Sequence, residues 1–527
     1  MTTQTVTPAR SRLTPERESF WYLVHAEWTK FRTVRGWVIA VLVTIAAITA
    51  FVFVATSVSS SCVGTDGRPS ACPAQLTGPG GVPVVDAFFF AHQPVAGNGA
   101  ITAQVTSLAG QVEVGQAGTG APQMGPGLQP WSKAGIIIKE NTSQGSAYAA
   151  LVVTGSNGVR MQWDYVNDTP GLTGRVSASS PRWLRLVRDG GTITGYDSAD
   201  GTHWSLVGTA TLPGLTSTVQ AGLFAAGSLY DSRFCTYDSS FCTRATGVFR
   251  HIKLSWPATG WTGTNVGGSN SGVPEPGTLR RHAGEVTVAS FGDIAPAAGS
   301  AYGGQGRSLQ RALDGTFFGL IPLIVVAAMF ITAEYRRGLI RVSLTAAPRR
   351  GRLLAAKAVV IGAVGFVAGL AAAALALAVG TPLLLRAGGL AWPVSLLTEA
   401  RMIAGTGALL AVAAVLALAI GTIVRRSAPA VAIVIVVIVV PYLLAFHPGP
   451  QAPGSGPGGG GGWELQVTPA AALSVQQAVP QFHQLLATYS LDVGYYPLAP
   501  WAGLTVECAW AAAALALASY LLRRRDV

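Results

Sequence analysis

Glu140 and Asp164 are acids on neighbouring segments of the chain, and a pair of carboxylates is the least that general acid–base cleavage of a glycosidic bond requires. Two acids on separate strands also serve as solvated faces or turn partners, and their spacing alone does not choose. Trp163, Trp183 and Trp204 offer a second chemistry, stacking on sugar rings, against the commoner fate of a tryptophan in β structure, which is core. Cys62 with Cys72, and Cys235 with Cys242, fall in close pairs that suggest two local disulfides; four cysteines permit three pairings, so connectivity stays open. A zinc site is the rival reading, weakened by the poor ligand spacing of "CTYDSSFC" and the lack of a nearby histidine. Glu507 is the main acid inside an apolar run, and Cys508 beside it reads as an inert small apolar residue. The chain has no G-x-x-x-x-G-K-[ST] phosphate loop, so it offers no nucleotide site of its own.

The elements that would position these groups follow from composition. With 50% hydrophobic residues, a mean hydropathy of +0.41 and a net charge of +12, the chain is too apolar for an ordinary soluble enzyme. Six runs are long enough to cross the hydrocarbon: 37–54, 317–333, 358–385, 402–424, 428–446 and 504–522. The first is read as a retained anchor, because a long polar leader precedes it and no convincing small-residue cleavage site follows.

Charge orients these runs. Residues 56–316 hold 16 of the 36 Lys/Arg and 15 of the 24 Asp/Glu, so the middle is near neutral and the flanks are basic. The leader 1–36, the segment 334–357, the Arg425/Arg426 turn and the tail 523–527 carry nearly all the remaining basic residues. The positive-inside rule therefore places both termini in the cytoplasm and residues 56–316 outside the plasma membrane. Only Arg386 and Arg401 fall on the outer side.

Residues 56–256 are too many for a loop and contain no long apolar run. Alternation in "AGIIIKE", "AYAALVVTG", "VRMQWDYV", "VQAGLFAAG" and "FRHIKLSW", with tight turns at "DGG" and "SADG", predicts an all-β sandwich. Residues 257–316 are rich in Gly, Ser and Pro and read as a linker, and residues 447–503 as an outer loop with a Gly-rich tract. Within that loop, "TPAAALSVQQAVPQFHQLLATYS" has helical apolar spacing but too many polar residues to span, and is placed at the outer membrane surface.

Two basic segments flank the membrane runs. In "FWYLVHAEWTKFRTVRGW", Leu23, Val24, Trp28, Phe31 and Val34 mark an apolar stripe, and Glu27, Lys30, Arg32 and Arg35 a polar face. "EYRRGLIRVSLTAAPRRGRLLAAK" carries Arg336, Arg337, Arg341, Arg349, Arg350, Arg352 and Lys357 with a single acid, Glu334. Topology explains the charges; Tyr335, Gly338 and Pro348 are not needed for it. Acidic residues of a partner and anionic membrane lipids would both be drawn to this charge. Nothing suggests nucleic acid, since the basic residues sit at membrane edges.

Two resemblances follow from these residues. The run "PRWLRLVRDGGTITGYDSADGTHWSLVGTATLPG" with "AGLFAAG" resembles the strand series of concanavalin-like, laminin-G-like jelly rolls, folds that often bind carbohydrate. The segments "HAEWTKFRTVRGW" and "AEYRRGLIRVSLTAAPRRGRLLAAK", with six helices in all, resemble ABC-2 type permeases of actinobacterial export systems. The second resemblance implies that the segment after the second helix forms a coupling element for a separate P-loop ATPase, which would carry ATP and Mg²⁺. It also implies pairing with a second copy or a related permease. The expected fold is a six-helix membrane protein with an extracytoplasmic jelly roll inserted between its first two spans. The expected function is an export permease, and the rival reading is a membrane-anchored glycan-binding or sensing protein.

Overall fold

A computed structural model describes residues 20–57, 62–63, 69–70, 76–116, 122–228, 243–257, 259–267, 276–297, 306–307, 309–339, 349–386, 390–446, 463–480, 482–485 and 495–524. Seven long helices lie among the described residues: α1 (Phe20–Thr33), α2 (Arg35–Ser57), α3 (Thr316–Arg336), α4 (Arg350–Arg386), α5 (Leu396–Val424), α6 (Ser427–Phe446) and α7 (Pro500–Arg524). The six from α2 to α7 are long and apolar enough to span a membrane. The backbone breaks at Val34 between α1 and α2, so the leader turns before it enters the bundle.

At 37 residues, α4 is about 55 Å long, against a hydrocarbon thickness of about 30 Å. Its first turns therefore project beyond the apolar slab, and half of the presumed 334–357 loop is helix. α4 crosses α5 closely because both present glycine: a Cβ on Gly369 would lie 2.8 Å from the Cα of Gly407. Small residues are what allow membrane helices to approach this way. Ser395 caps α5 by accepting from the Thr398 N–H at 3.2 Å, and Arg425 ends it in a left-handed conformation, φ 61°.

The segment after α6 departs from the sequence expectation. Pro469–Gln476 forms a short 3-10 stretch in which every residue is buried. It lies inside the bundle against α5, α6 and α7, not on the outer membrane surface. Its polar residues find partners there. Gln476 Nε2 donates to Thr316 Oγ1 at 2.8 Å and to Thr406 Oγ1 at 2.9 Å. Irregular backbone at such depth is tolerated when protein surrounds it.

The inserted domain is a sandwich of two eight-stranded antiparallel sheets. Its strands are β1 (Val84–Ala96), β2 (Gly99–Gln116), β3 (Pro122–Pro126), β4 (Lys133–Lys139), β5 (Tyr148–Thr154), β6 (Val159–Trp163), β7 (Asn167–Pro170) and β8 (Arg182–Asp189). They continue with β9 (Thr192–Ser198), β10 (Ser205–Thr211), β11 (Thr218–Ala226), β12 (Thr243–Leu254), β13 (Thr262–Val266), β14 (Thr278–His282), β15 (Glu285–Ser290) and β16 (Asp293–Pro296). One sheet runs β10-β9-β8-β2-β12-β15-β14 with β3 beside β2, the other β13-β1-β11-β4-β5-β6-β7 with β16 beside β1. The expected linker thus supplies four strands, β13 to β16, because its short alternating runs sit between the Gly-rich stretches.

Ala134, Ile136, Ile138, Leu151, Leu184 and Leu223 join the core between the sheets. Phe88, Phe90, Ile137, Tyr148 and Phe224 form a second core on the other face of the second sheet, which is therefore buried on both sides. The sandwich meets the membrane bundle through Ala295, Trp392, Val479, Phe482 and Leu485, and Gln484 Nε2 donates to the Tyr165 carbonyl at 3.2 Å. The short pair of Cys62–Val63 with Pro69–Ser70 precedes the sandwich. The side chains of Cys62, Cys72, Cys235 and Cys242 lie outside the described residues, and so do both expected disulfides.

Candidate functional site

The helix ends at the basic end of the bundle meet in a cluster of four charges. Lys357, on the second turn of α4, has its side chain wholly buried; its Nζ lies 2.6 Å from Glu27 Oε2 and 2.8 Å from Glu334 Oε1. Lys30 completes the set at 2.7 Å from Glu27 and 3.3 Å from Glu334. The four residues come from α1, the end of α3 and the start of α4, so one set of ion pairs ties three elements together. Burial draws the half-exposed Lys30 ammonium down, but hydrogen bonds and charge from Glu27 and Glu334 leave it above the usual lysine range.

Aromatic rings enclose the cluster. Phe330 sits 4.7 Å from Lys357 Nζ and packs edge-on against Phe31 at 5.9 Å and Trp37 at 5.3 Å. Exclusion of water strengthens each ion pair and makes an unpaired member costly. Glu334 Oε2 is buried with no hydrogen-bond partner among the described residues, and the Arg425 guanidinium lies 5.3 Å over the Tyr335 ring. Beside them a cleft of about 430 Å³ runs between the end of α3 and the Arg425–Pro429 turn.

This geometry revises several expectations. Glu27 is not on a solvated face: with Phe31 it forms the buried side of α1, while Trp28 is 43% exposed and Val34 39%. The stripe facing the bundle is Val24, Glu27 and Phe31, sharing Val24 and Phe31 with the stripe that hydrophobicity alone suggests but turned toward Glu27 and away from Trp28 and Val34. Lys357 and Glu334 are interior groups and cannot belong to an exposed docking face. Arg32, Arg35, Arg336, Arg337, Gly338 and Arg349 are exposed, Arg350 is half-buried, and Arg341 and Pro348 lie outside the described residues. Arg425 was read from sequence only as a topology charge, and Phe330 was not singled out. The one signal available was an acid, Glu27, standing at i+3 between apolar Val24 and Phe31.

In the sandwich, the three tryptophans do not form one platform. Trp163 packs on the core between the sheets. Trp183 lies between Arg182 and the core residue Leu184, so strand alternation turns it to the outer face of the other sheet, where it stacks on His251 at 5.4 Å. Trp204 is half-buried in the turn before β10.

Nor do the two acids frame an open bond. Asp164 and Tyr165 take φ of 46° and 68° in the turn between β6 and β7. Both Asp164 and Glu140 lie near Lys139, whose ammonium is fully buried against Asp86 at 2.7 Å. Burial pushes the Asp164 carboxyl up to about 6, against a Tyr148 backbone hydrogen bond and the Lys139 charge that pull it down.

The folded domain thus holds this proton more tightly than the unfolded chain, whose carboxyl titrates near 3.8. Stability from this group is present below the unfolded value and is lost as pH rises through about 6. Asn tolerates positive φ and carries no charge, so Asp164→Asn is expected to stabilise the sandwich by about 1 kcal/mol at pH 7, after allowance for partial exposure. It should have no effect at pH 4. Melts of the full chain at the two pH values check this.

A bundle of six spanning helices with an antiparallel sandwich inserted between the first two defines a multi-pass membrane protein of composite build. Residues 315–527, from α3 to α7, match the family model described as ABC-2 family transporter protein. No curated relative matches the sequence. Among solved structures, the chain is similar to a functionally unknown protein from Saccharomyces cerevisiae, at 15% identity over 32% of this chain and 74% of that one, TM-score 0.18. It is also similar to scytalido-glutamic peptidase, at 7% identity over 39% of this chain and 98% of that one, TM-score 0.24. A third is the GH43 protein BlXynB from Bacillus licheniformis, at 16% identity over 24% of each chain, TM-score 0.15. TM-scores this low assign the sandwich no function.

Proposed function

We propose that the chain is the membrane-spanning permease subunit of an ATP-driven export system whose nucleotide and Mg²⁺ sit on a separate P-loop ATPase. The ABC-2 match over residues 315–527 carries this reading. The basic end of the bundle is cytoplasmic, because that is where arginine is costly to translocate, and the concanavalin-like sandwich lies outside the plasma membrane.

The exposed Arg336, Arg337 and Gly338 offer the ATPase a contact at the end of α3. The charge cluster behind them joins α1, α3 and α4, so force applied there moves three elements as one. Two such chains, identical or related, would frame a path between them, opened outward when the ATPase subunits close. Charge is scarce within the spans and Glu507 is the buried exception, which favours a hydrophobic or amphipathic cargo over an ion-coupled carrier.

The test is purification of the tagged full chain from its own membranes in mild detergent, with mass spectrometry of what accompanies it, beside an Arg336→Ala/Arg337→Ala variant. A P-loop ATPase is expected with the wild type, and at least tenfold less of it with the variant. A folded wild-type chain that brings no ATPase would refute the reading and leave these arginines as topology signals only.

A further inference from the structure

The arginines at the start of α4 do something that topology does not require. Arg349, Arg350 and Arg352 converge with Arg523, more than 170 positions later in the sequence, on a cleft of about 570 Å³ whose only other lining residue among those described is Gly351. Arg350 Nη1 donates to the Leu522 carbonyl at 2.7 Å and so fixes the end of α7 against the start of α4. A Cβ on Gly351 would lie 3.7 Å from Arg523 Nη2, so that guanidinium stands directly over the first turn of α4.

Positive-inside charge needs only to stay on one side of the membrane; it has no reason to gather. The guanidinium groups of Arg349, Arg352 and Arg523 around one cleft repel each other, and among the described residues no carboxylate lines it. The first turn of a 37-residue helix adds its own partial positive charge there, and Gly351 leaves room for a ligand to approach the backbone. An anion with several oxygens answers all of these donors, and Arg suits phosphate because its planar fork bonds two oxygens at once.

We propose that this cleft binds the phosphodiester headgroup of an anionic glycerophospholipid. The lipid source is favoured over a dissolved phosphate by position. α4 and α7 run from the cleft straight into their membrane spans, with Val359, Leu517 and Tyr520 at 43%, 48% and 48% exposure for acyl chains to lie on. Arg524 lies 4.7 Å over the Tyr520 ring, placing a further cation at the headgroup level. A lipid seated here bridges the third and last spans at their basic ends. The proposal rests on the membrane-spanning reading of the chain and not on the ATPase.

The experiment uses the full chain alone, without any ATPase. Native mass spectrometry follows retention of phosphatidylglycerol against phosphatidylcholine from mixed micelles. The wild type is expected to prefer phosphatidylglycerol at least tenfold. An Arg349→Gln/Arg352→Gln/Arg523→Gln variant, which keeps Arg350 on its carbonyl, is expected to lose at least fivefold of that retention. Arg336→Gln/Arg337→Gln removes charge from the same membrane face outside the cleft and should retain the lipid as wild type does; equal loss in both variants would reduce the effect to general surface charge. Should the triple variant fail to fold, Arg352→Lys serves, keeping the charge and losing the fork, with an intermediate loss expected.

No preference for phosphatidylglycerol in the wild type overturns the proposal. Displacement of the lipid by millimolar inorganic phosphate would make this a soluble-anion site and overturn it also. So would a folded triple variant that retains phosphatidylglycerol as the wild type does, since the lipid would then be held elsewhere.

Discussion

Lys357→Met should detach the leader helix from the bundle. The substitution roughly keeps the length of the side chain but strands Glu27 and Glu334 in a buried, ring-lined site with Lys30 as their only cation among the described residues. Removing one partner from a buried charge set costs about 3–5 kcal/mol, because the remaining charges are left poorly compensated. The cost falls on contacts of α1 first, since Lys357 of α4 holds Glu27 of α1 directly. Expected readouts are a lowered melting midpoint of the full chain in detergent and faster proteolysis within residues 20–33. Adding Glu27→Gln should recover part of the loss, since it deletes a stranded charge. Unchanged melting and proteolysis in Lys357→Met would mean that the aromatic contacts of Phe31 and Trp37 with Phe330 hold the leader without the ions.

The second large effect is expected in the sandwich. Lys139 donates to Asp86, to the Ser146 carbonyl at 3.1 Å and to the Tyr165 hydroxyl at 3.2 Å, while Tyr165 donates to Asp86 at 2.6 Å. Burial pulls its ammonium below the usual lysine range, with Asp86 resisting. Lys139→Met leaves the Asp86 carboxylate interior and without its cation, again at about 3–5 kcal/mol. Hydrogen exchange on the full chain should show β1 and β4 losing protection together. Lys139→Met with Asp86→Leu should cost clearly less than the single change, as replacement of a whole buried pair by apolar groups often does. If the double variant is the worse of the two, the pair is not the source of the effect.

These two lysines show what the sequence could and could not disclose. The six spans were legible to within a few residues at most ends, because length and hydropathy decide them. The strand runs from Ala134 to Trp256 were legible through alternation and turn residues. Lys139 was not, since a lysine closing the strand beside Ile138 looks like a solvated end until another layer covers it. The run Val84–Ala96 escaped for the same reason: Phe88 and Phe90 enter one core, Phe89 and Ala91 the other, so alternation disappears. Pro469–Gln476 was misplaced because its glutamine and serine count against burial when their partners are unknown. Glu27, Lys30, Glu334 and Lys357 were all visible as basic-end residues, yet their meeting depends on contacts more than 300 positions apart.

The way α2 and α3 pack also explains how so large an insertion is accommodated. A Cβ on Gly315 would lie 2.4 Å from the Ile48 carbonyl, one on Gly319 would strike the Ile48 side chain, and Phe51 stacks on Phe318 at 4.8 Å. The two spans therefore close on each other at the point where the chain leaves for the sandwich and returns. A hairpin already fastened at its mouth is indifferent to what is strung across it: loop-closure entropy grows only as the logarithm of length, about 0.6 kcal/mol per doubling. A few residues or a whole folded body can occupy that gap, and the helix bundle and the inserted sandwich are free to evolve as separate modules on one chain.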